Sequence, residues 1–207
     1  MKKGIKLICS VFALSCLFSS CYINREADQK KTITVSGSGT ITSNPDTATV
    51  DFTIVTSGWS AKAIVLDNDT LANRLVEAVK NVGVNETDIQ LSACTISNPA
   101  NQYEARRNVR IIVRNVNLVS QVVDCKTGAL VRLKGIEYSL NDTASVTRRA
   151  RSAAVQQTQD SASLLAGASG SKIGEVVGIE EEKISTTTTT DGKINITSEV
   201  KVTYLLQ

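Results

Sequence analysis

The chain has 207 residues, with 23 lysines and arginines against 20 aspartates and glutamates, and no histidine. Without histidine there is no Ser-His-Asp or Cys-His nucleophile pair and no imidazole metal ligand. Lys2, Lys3 and Lys6 sit in a leader-like segment, and the remainder balances 20 basic against 20 acidic side chains, which speaks against a nucleic-acid partner.

In chain order, residues 1–6 form a cationic head, residues 7–18 carry no charge and are largely apolar, and Ser19-Ser20-Cys21 closes the segment. That is the order of a secretory signal, and a run of 12 residues is too short to cross a bilayer as a helix. The closing residues resemble the lipobox of bacterial lipoproteins, which implies cleavage between Ser20 and Cys21 and acylation of Cys21. Several acyl chains, at about 0.8 kcal/mol per buried methylene, would make the membrane a lasting partner. Phe18 stands where a lipobox has a smaller aliphatic residue, so ordinary cleavage nearby and an acylated Cys16 are the alternatives. Tyr22 is not the aspartate that retains lipoproteins in the inner membrane of enteric bacteria, which points to the outer membrane. The expected division is a signal over 1–20, a lipid-anchored polar tether over 21–31, and one folded domain over 32–207.

That domain has few aromatic residues, so its core must come from Val, Ile, Leu and Ala. Residues 32–36 alternate as a short strand, with Gly37-Ser38-Gly39 interrupting it and Asn44-Pro45-Asp46 forming a turn. Ala48, Val50, Phe52 and Ile54 then alternate with Thr49, Asp51 and Thr53 in a strand with one buried face. Ser60 is placed to cap a helix whose stripe is Ile64, Leu71, Leu75, Val79 and Val82, with Gly83 at its C-terminal end. Residues 87–97 read as a strand stopped by Asn98-Pro99.

The second half repeats the pattern. Val109, Ile111 and Val113 alternate with Arg110 and Arg114. A short helix over 117–129 carries Leu118, Val122 and Cys125 on one side, and a strand over 135–140 follows with Ile136, Tyr138 and Leu140 in step. The long helix over 143–168 is rich in alanine, which permits close approach to a neighbour. Strands over 175–184 and 193–205 flank Asp191-Gly192 as a hairpin, with Thr186–Thr190 at its exposed end. The fold class is α+β: two successive strand-helix-strand units forming a mainly antiparallel sheet with helices packed on it, then the Ala-rich helix and the hairpin.

Little in the chain points to catalysis, and no cofactor or metal is expected. Asp67-Asn68-Asp69 lacks the glycine and distal glutamate of an EF-hand loop. Gly37-Ser38-Gly39 has no following Lys-Thr, so it is not a phosphate loop. Arg106, Arg107, Arg110 and Arg114 form a local basic patch, either solvated or facing an acidic partner or neighbouring subunit. Cys94 and Cys125 are the two thiols of the domain, open to a disulfide or redox role or to packing as small hydrophobes.

Val35-Ser36-Gly37-Ser38-Gly39, Pro45-Asp46-Thr47-Ala48-Thr49-Val50, Val82-Gly83-Val84, Asp160-Ser161-Ala162 and Gly170-Ser171-Lys172-Ile173-Gly174 recur in an order and spacing that resemble the SIMPL-domain family. The resemblance covers about residues 32–206. It implies a bacterial envelope or periplasmic protein of a family long without an assigned function, some members being linked to oxidative stress, some known as surface antigens, and some forming large oligomers. It implies no catalytic residue. Gly37, Gly39, Pro45 and Asp46 of its opening motif read as turn-makers selected by backbone geometry. Two functions follow as expectations: a lipid-anchored, non-enzymatic module that oligomerises or binds envelope proteins, or an oxidative-stress protein acting through Cys94 and Cys125.

Overall fold

Alternating strands dominate the computed structural model, which describes residues 30–207. The signal, its Ser20/Cys21 cleavage point, Cys16 and the Cys21 anchor lie outside the described residues. The folded body begins at Thr32. Its strands are β1 (Thr32–Ser43), β2 (Thr47–Gly58), β3 (Ile89–Leu91), β4 (Thr95–Ser97), β5 (Tyr103–Val113), β6 (Val131–Ser139), β7 (Ile173–Thr188) and β8 (Ile194–Leu206). Three helices accompany them: α1 (Ala61–Val82), α2 (Val119–Asp124) and α3 (Thr143–Ala168). The class is α+β, and every strand pairing is antiparallel.

The single sheet expected from the sequence is divided into two. One has three strands in the order β1-β8-β7, and the other has five, in the order β3-β5-β2-β6 with β4 also on β5. The strand expected over 87–97 is split: a 3-10 turn at Glu86–Asp88 precedes β3, and β4 follows three residues later. Thr186–Thr188 lie at the exposed end of the hairpin and pair in the β7–β8 ladder with Ile196, Asn195 and Ile194.

In the five-stranded sheet Ala48, Val50, Phe52 and Ile54 of β2 and Val109, Ile111 and Val113 of β5 turn one face inward. Onto it packs α1 through Ile64, Asn68, Ala72, Leu75 and Val79, spaced by four, four, three and four residues. Each large aliphatic side chain buried there contributes about 1.5–3 kcal/mol. Ser60 caps α1 by accepting from the Ala63 N–H, and Gly83 ends it at φ 103° with its N–H on the Lys80 carbonyl. That left-handed geometry favours glycine. Of the expected stripe, Leu71 and Val82 lie at its flanks, partly buried, while Asn68 and Ala72 fill its centre.

The three-stranded sheet is covered by α3. Its buried row is Ala150, Ala154, Thr158, Ala162 and Ala166, a strict four-residue spacing of small side chains. Ala154 and Ala162 meet Val35 of β1 and Val200, Val202 and Tyr204 of β8, while Ala150 meets Ile194 and Ile196 of β8. Thr158 Oγ1 donates to the Val155 carbonyl at 2.7 Å, which leaves it to accept from the Tyr204 hydroxyl at 2.9 Å.

Gly37 and Gly39 do not interrupt β1. The strand runs through them, and both lie on the buried face between Val35 and Ile41. A Cβ on Gly37 would lie 2.5 Å from Thr158 Cγ2 and 2.6 Å from the Ala154 carbonyl oxygen. One on Gly39 would collide with the Ala150 carbonyl oxygen and the Ala154 nitrogen, closer still. These glycines are therefore seats for the helix backbone and not turn-makers, a recurrent use of glycine inside a strand. Pro45 and Asp46, by contrast, do lie in the turn between β1 and β2. Asp46 Oδ1 accepts from the Asn141 N–H at 2.7 Å and the Thr47 hydroxyl at 2.9 Å, and the Asp46 N–H donates to the Ser139 carbonyl at 3.2 Å. The turn is thereby tied to the link between β6 and α3.

Candidate interaction surfaces

The basic patch centres on β5: Arg106 and Arg110 lie on its outer face, Arg107 lies on the inner face toward α1, and Arg114 follows the end of the strand. Each guanidinium meets a carboxylate of its own chain. Arg110 grips Asp51 of β2 with Nε and Nη2 at 2.9 and 3.1 Å. Arg114 grips Asp88 with two bonds of 2.7 Å and reaches Asn141 at 3.2 Å. Arg106 bonds Glu104 at 2.9 Å, and Arg107 bonds Asp69 at 2.5 Å. Arg106, Arg110 and Arg114 nonetheless keep half or more of their side chains exposed, so the patch is a solvated face whose charge is offset within the chain. The same contacts dissolve the Asp67-Asn68-Asp69 cluster: Asp69 is taken by Arg107, and Asn68 points into the core. Among the described residues no group of three acidic or cysteine side chains could hold a metal ion.

A recess of about 280 Å³ lies on the outer face of the five-stranded sheet, lined by Asp51, Gln90, Ser92, Asn108, Arg110 and Lys134. Its one carboxylate is engaged: hydrogen bonds from Arg110, aided by the charges of Arg110 and Lys134, hold the Asp51 carboxyl below its usual range. It presents no nucleophile paired with a base, so it has the make-up of a polar sheet surface.

Asp88 gives the domain an acid-sensitive clamp. Hydrogen bonds from Arg114, and its charge, lower the Asp88 pKa, against an opposing contribution from burial. A carboxylate with a depressed folded-state pKa contributes stability that is present above its unfolded pKa and lost as pH falls through the folded one. Unfolding measured against pH is therefore expected to show Arg114→Ala costing stability at neutral pH, with the difference from wild type closing below about pH 4, the ordinary aspartate range. A difference that stays constant into strong acid would remove Asp88 from this role.

Cys94 and Cys125 are both free thiols and half-buried. Cys94 lies between β3 and β4, whereas Cys125 ends α2, packs against the core and donates its S–H to the Gln121 carbonyl at 3.2 Å. Burial, with the negative Asp124 beside it, pushes the Cys125 thiol up, away from the thiolate that redox chemistry uses.

The strongest surface features are two sheet edges. β6 ends the five-stranded sheet and β7 ends the three-stranded one. By register, Leu133, Ile136 and Tyr138 of β6 lie opposite the core residues Phe52, Val50 and Ala48, and thus share their face. Val176, Ile179 and Ile184 of β7 likewise lie opposite Tyr204, Val202 and Ser198. Yet all six are exposed, Ile179 at 61% and Tyr138 at 46%, because α1 packs on β2 and β5 and α3 on β1 and β8, which leaves β6 and β7 largely uncovered. Such apolar rows on uncapped edges are the usual ground for strand-mediated association. The sequence places Ile136 and Tyr138 of β6 in step on one face and marks no such row in β7.

The chain is an α+β domain of two helix-backed antiparallel sheets whose outer strands β6 and β7 expose part of their apolar side chains. Residues 33–204 match the family described as SIMPL, protein of unknown function (DUF541), and the chain belongs to that family. It is 26% identical to the 26 kDa periplasmic immunogenic protein of Brucella melitensis biotype 1 over 174 residues, covering 76% of this chain and 69% of that one. The 26 kDa periplasmic immunogenic protein of Brucella abortus strain S19 gives the same identity and coverage. A solved structure of a candidate glycine cleavage system transcriptional repressor overlaps 74% of this chain and 81% of its own at 12% identity, with a TM-score of 0.21. That value carries no argument.

Proposed function

We propose that this is an exported, lipid-anchored protein of the bacterial cell envelope whose domain works by associating with proteins, itself included, and not by catalysis. The observation that carries the association is the pair of exposed apolar edge strands, β6 and β7. The location rests on the leader and lipobox-like residues ahead of Cys21, together with the periplasmic character of the Brucella relatives. Among the described residues no helix is long and apolar enough to cross a membrane, so the acylated Cys21 is the attachment this reading requires.

Cys21→Ser is expected to move most of the protein from the membrane fraction to the soluble exported fraction. The wild-type product should begin at Cys21 and carry the added mass of its acyl chains. A wild-type protein that keeps Met1, or an unmodified Cys21 in the cell interior, would overturn the proposal.

A further inference from the structure

We infer that the end of the three-stranded sheet where the chain enters the domain rests on the bilayer, with Leu164, Leu165, Val176 and Val177 in its headgroup layer and the β7–β8 hairpin pointing away. The inference rests on the Cys21 anchor proposed above and adds which face of the domain the lipid meets.

The register gathers these residues at one end. Thr32 opens β1 opposite Leu205, Ile173 opens β7 opposite Leu206, and Lys172 exchanges backbone bonds of 2.8 and 2.9 Å with Gln207. α3 runs antiparallel to β1, since Ala150 and Ala154 lie over Gly39 while Ala154 and Thr158 lie over Gly37. Its last turns therefore come down at the same end and bring Leu164 and Leu165 with them. Leu165 follows Arg151 by about four helical turns, on the flank that reaches β7, because Arg151 bonds Glu181 of that strand at 2.7 Å. All four aliphatic side chains are about half exposed or more, Leu164 at 74%, and the exposed large apolar side chains of α3 are confined to these turns. The opposite end is polar: residues 186–193, around the hairpin turn, are five threonines, Asp191, Gly192 and Lys193.

Two arguments make lipid the occupant. Residues 22–31 span at most about 35 Å when fully extended, so Thr32 is tied within that distance of the acylated cysteine. A contact made under such a tether is intramolecular and forms at an effective concentration of about a millimolar. Four aliphatic side chains then suffice to set the orientation of the domain, although they are too few to recruit a free protein. Charge agrees. Lys30 and Lys31 lead into Thr32, and Lys172 precedes β7, against one acid there, Glu175; lysines beside an anchor favour an anionic lipid surface. With β8 13 residues long, about 40 Å, the hairpin stands clear of the headgroups.

The test uses the full-length acylated protein reconstituted into vesicles of phosphatidylcholine and phosphatidylglycerol. The chain has one tryptophan, the exposed Trp59, so Trp59→Phe provides a silent background in which a single new tryptophan reports its surroundings. Leu164→Trp should be quenched by lipids brominated on their acyl chains. Its quenching by aqueous acrylamide should fall at least about threefold from that in the soluble Cys21→Ser chain, as for a side chain about 5–10 Å into the headgroup boundary. Thr190→Trp should show neither change, and adding Leu165→Glu with Val177→Glu should return Leu164→Trp to the soluble level. Equal acrylamide quenching of Leu164→Trp on vesicles and in solution would overturn the inference. So would protection without quenching by brominated lipid, which means that protein, a second copy included, covers the patch, and so would quenching of Thr190→Trp instead. Mass reads Cys21 separately. An acylated chain whose Leu164→Trp stays in water keeps the anchored reading and ends this one. If Cys21 is unmodified the anchored reading falls, and the reporter is read on the unanchored chain in about millimolar lipid. Quenching by brominated lipid there keeps the inference, and its absence ends it.

Discussion

Gly39→Val is expected to destabilise the domain by about 3 kcal/mol or more, read as a lowered midpoint of denaturant unfolding. Strand propensity alone points the other way: valine is favoured in strands and glycine is disfavoured by roughly 0.5–1 kcal/mol. The sign is decided by what faces the position. The added Cβ would meet the Ala150 carbonyl oxygen and the Ala154 nitrogen, which are helix backbone and cannot rotate aside. α3 must therefore lift from β1, opening the contacts of Ala150 and Ala154 along its row. Gly37→Val should behave similarly, since the Ala154 carbonyl lies in its path as well. Ser36→Ala, on the opposite and exposed face of the same strand, should stay within about 0.5 kcal/mol of wild type. If Gly39→Val unfolds at the wild-type midpoint, the close seating of α3 is wrong.

Those glycines also show where the sequence is silent. Ile33, Val35, Gly37, Gly39 and Ile41 form one unbroken period-two row, but glycine has no side chain to register in a hydropathy pattern, so the strand looks interrupted. The complementary half of the signal was present in α3, where small residues recur every fourth position; it says that something approaches closely and not what. Strands with one buried face, such as β2 and β5, were legible because core and solvent alternate along them, and α1 because its stripe and both caps are local. The division into two sheets was not legible, since nothing within β1 or β2 records that consecutive strands pair with β8 and with β5 instead of with each other. The arginine contacts were hidden for a related reason. Asp51 and Arg110 are 59 residues apart in the chain, and only the β2–β5 register brings them opposite one another. The exposure of the β6 and β7 rows was not legible, because periodicity identifies the face of a strand but not whether a helix reaches it.

Asn68→Asp is expected to cost about 3–5 kcal/mol at neutral pH, the range for an uncompensated buried charge. Asn68 is fully buried on the inner face of α1. Its Nδ2 points at the Ile54 carbonyl at 3.3 Å, the Ala105 carbonyl at 3.3 Å and the Thr56 hydroxyl oxygen at 3.4 Å. Thr56 already donates to the Ile64 carbonyl at 2.7 Å, so all three oxygens present lone pairs to the amide. Oδ1 accepts from no described residue. The pocket is thus built for a donor, and an ionised carboxylate would bring acceptors to acceptors at a fully buried position. Asn68→Ala, which only strands those oxygens, should cost less, about 1–3 kcal/mol. The introduced carboxylate would have its folded-state pKa raised by burial, above the unfolded value near ~3.9. The folded variant therefore holds its proton to higher pH than the unfolded chain, and its stability falls as pH rises through that window. Urea midpoints should show Asn68→Asp closest to wild type in mild acid and furthest from it at pH 7 and above. A gap that is flat with pH, or smaller at pH 7 than that of Asn68→Ala, would mean the amide does not bridge α1 to β2 and β5 as described.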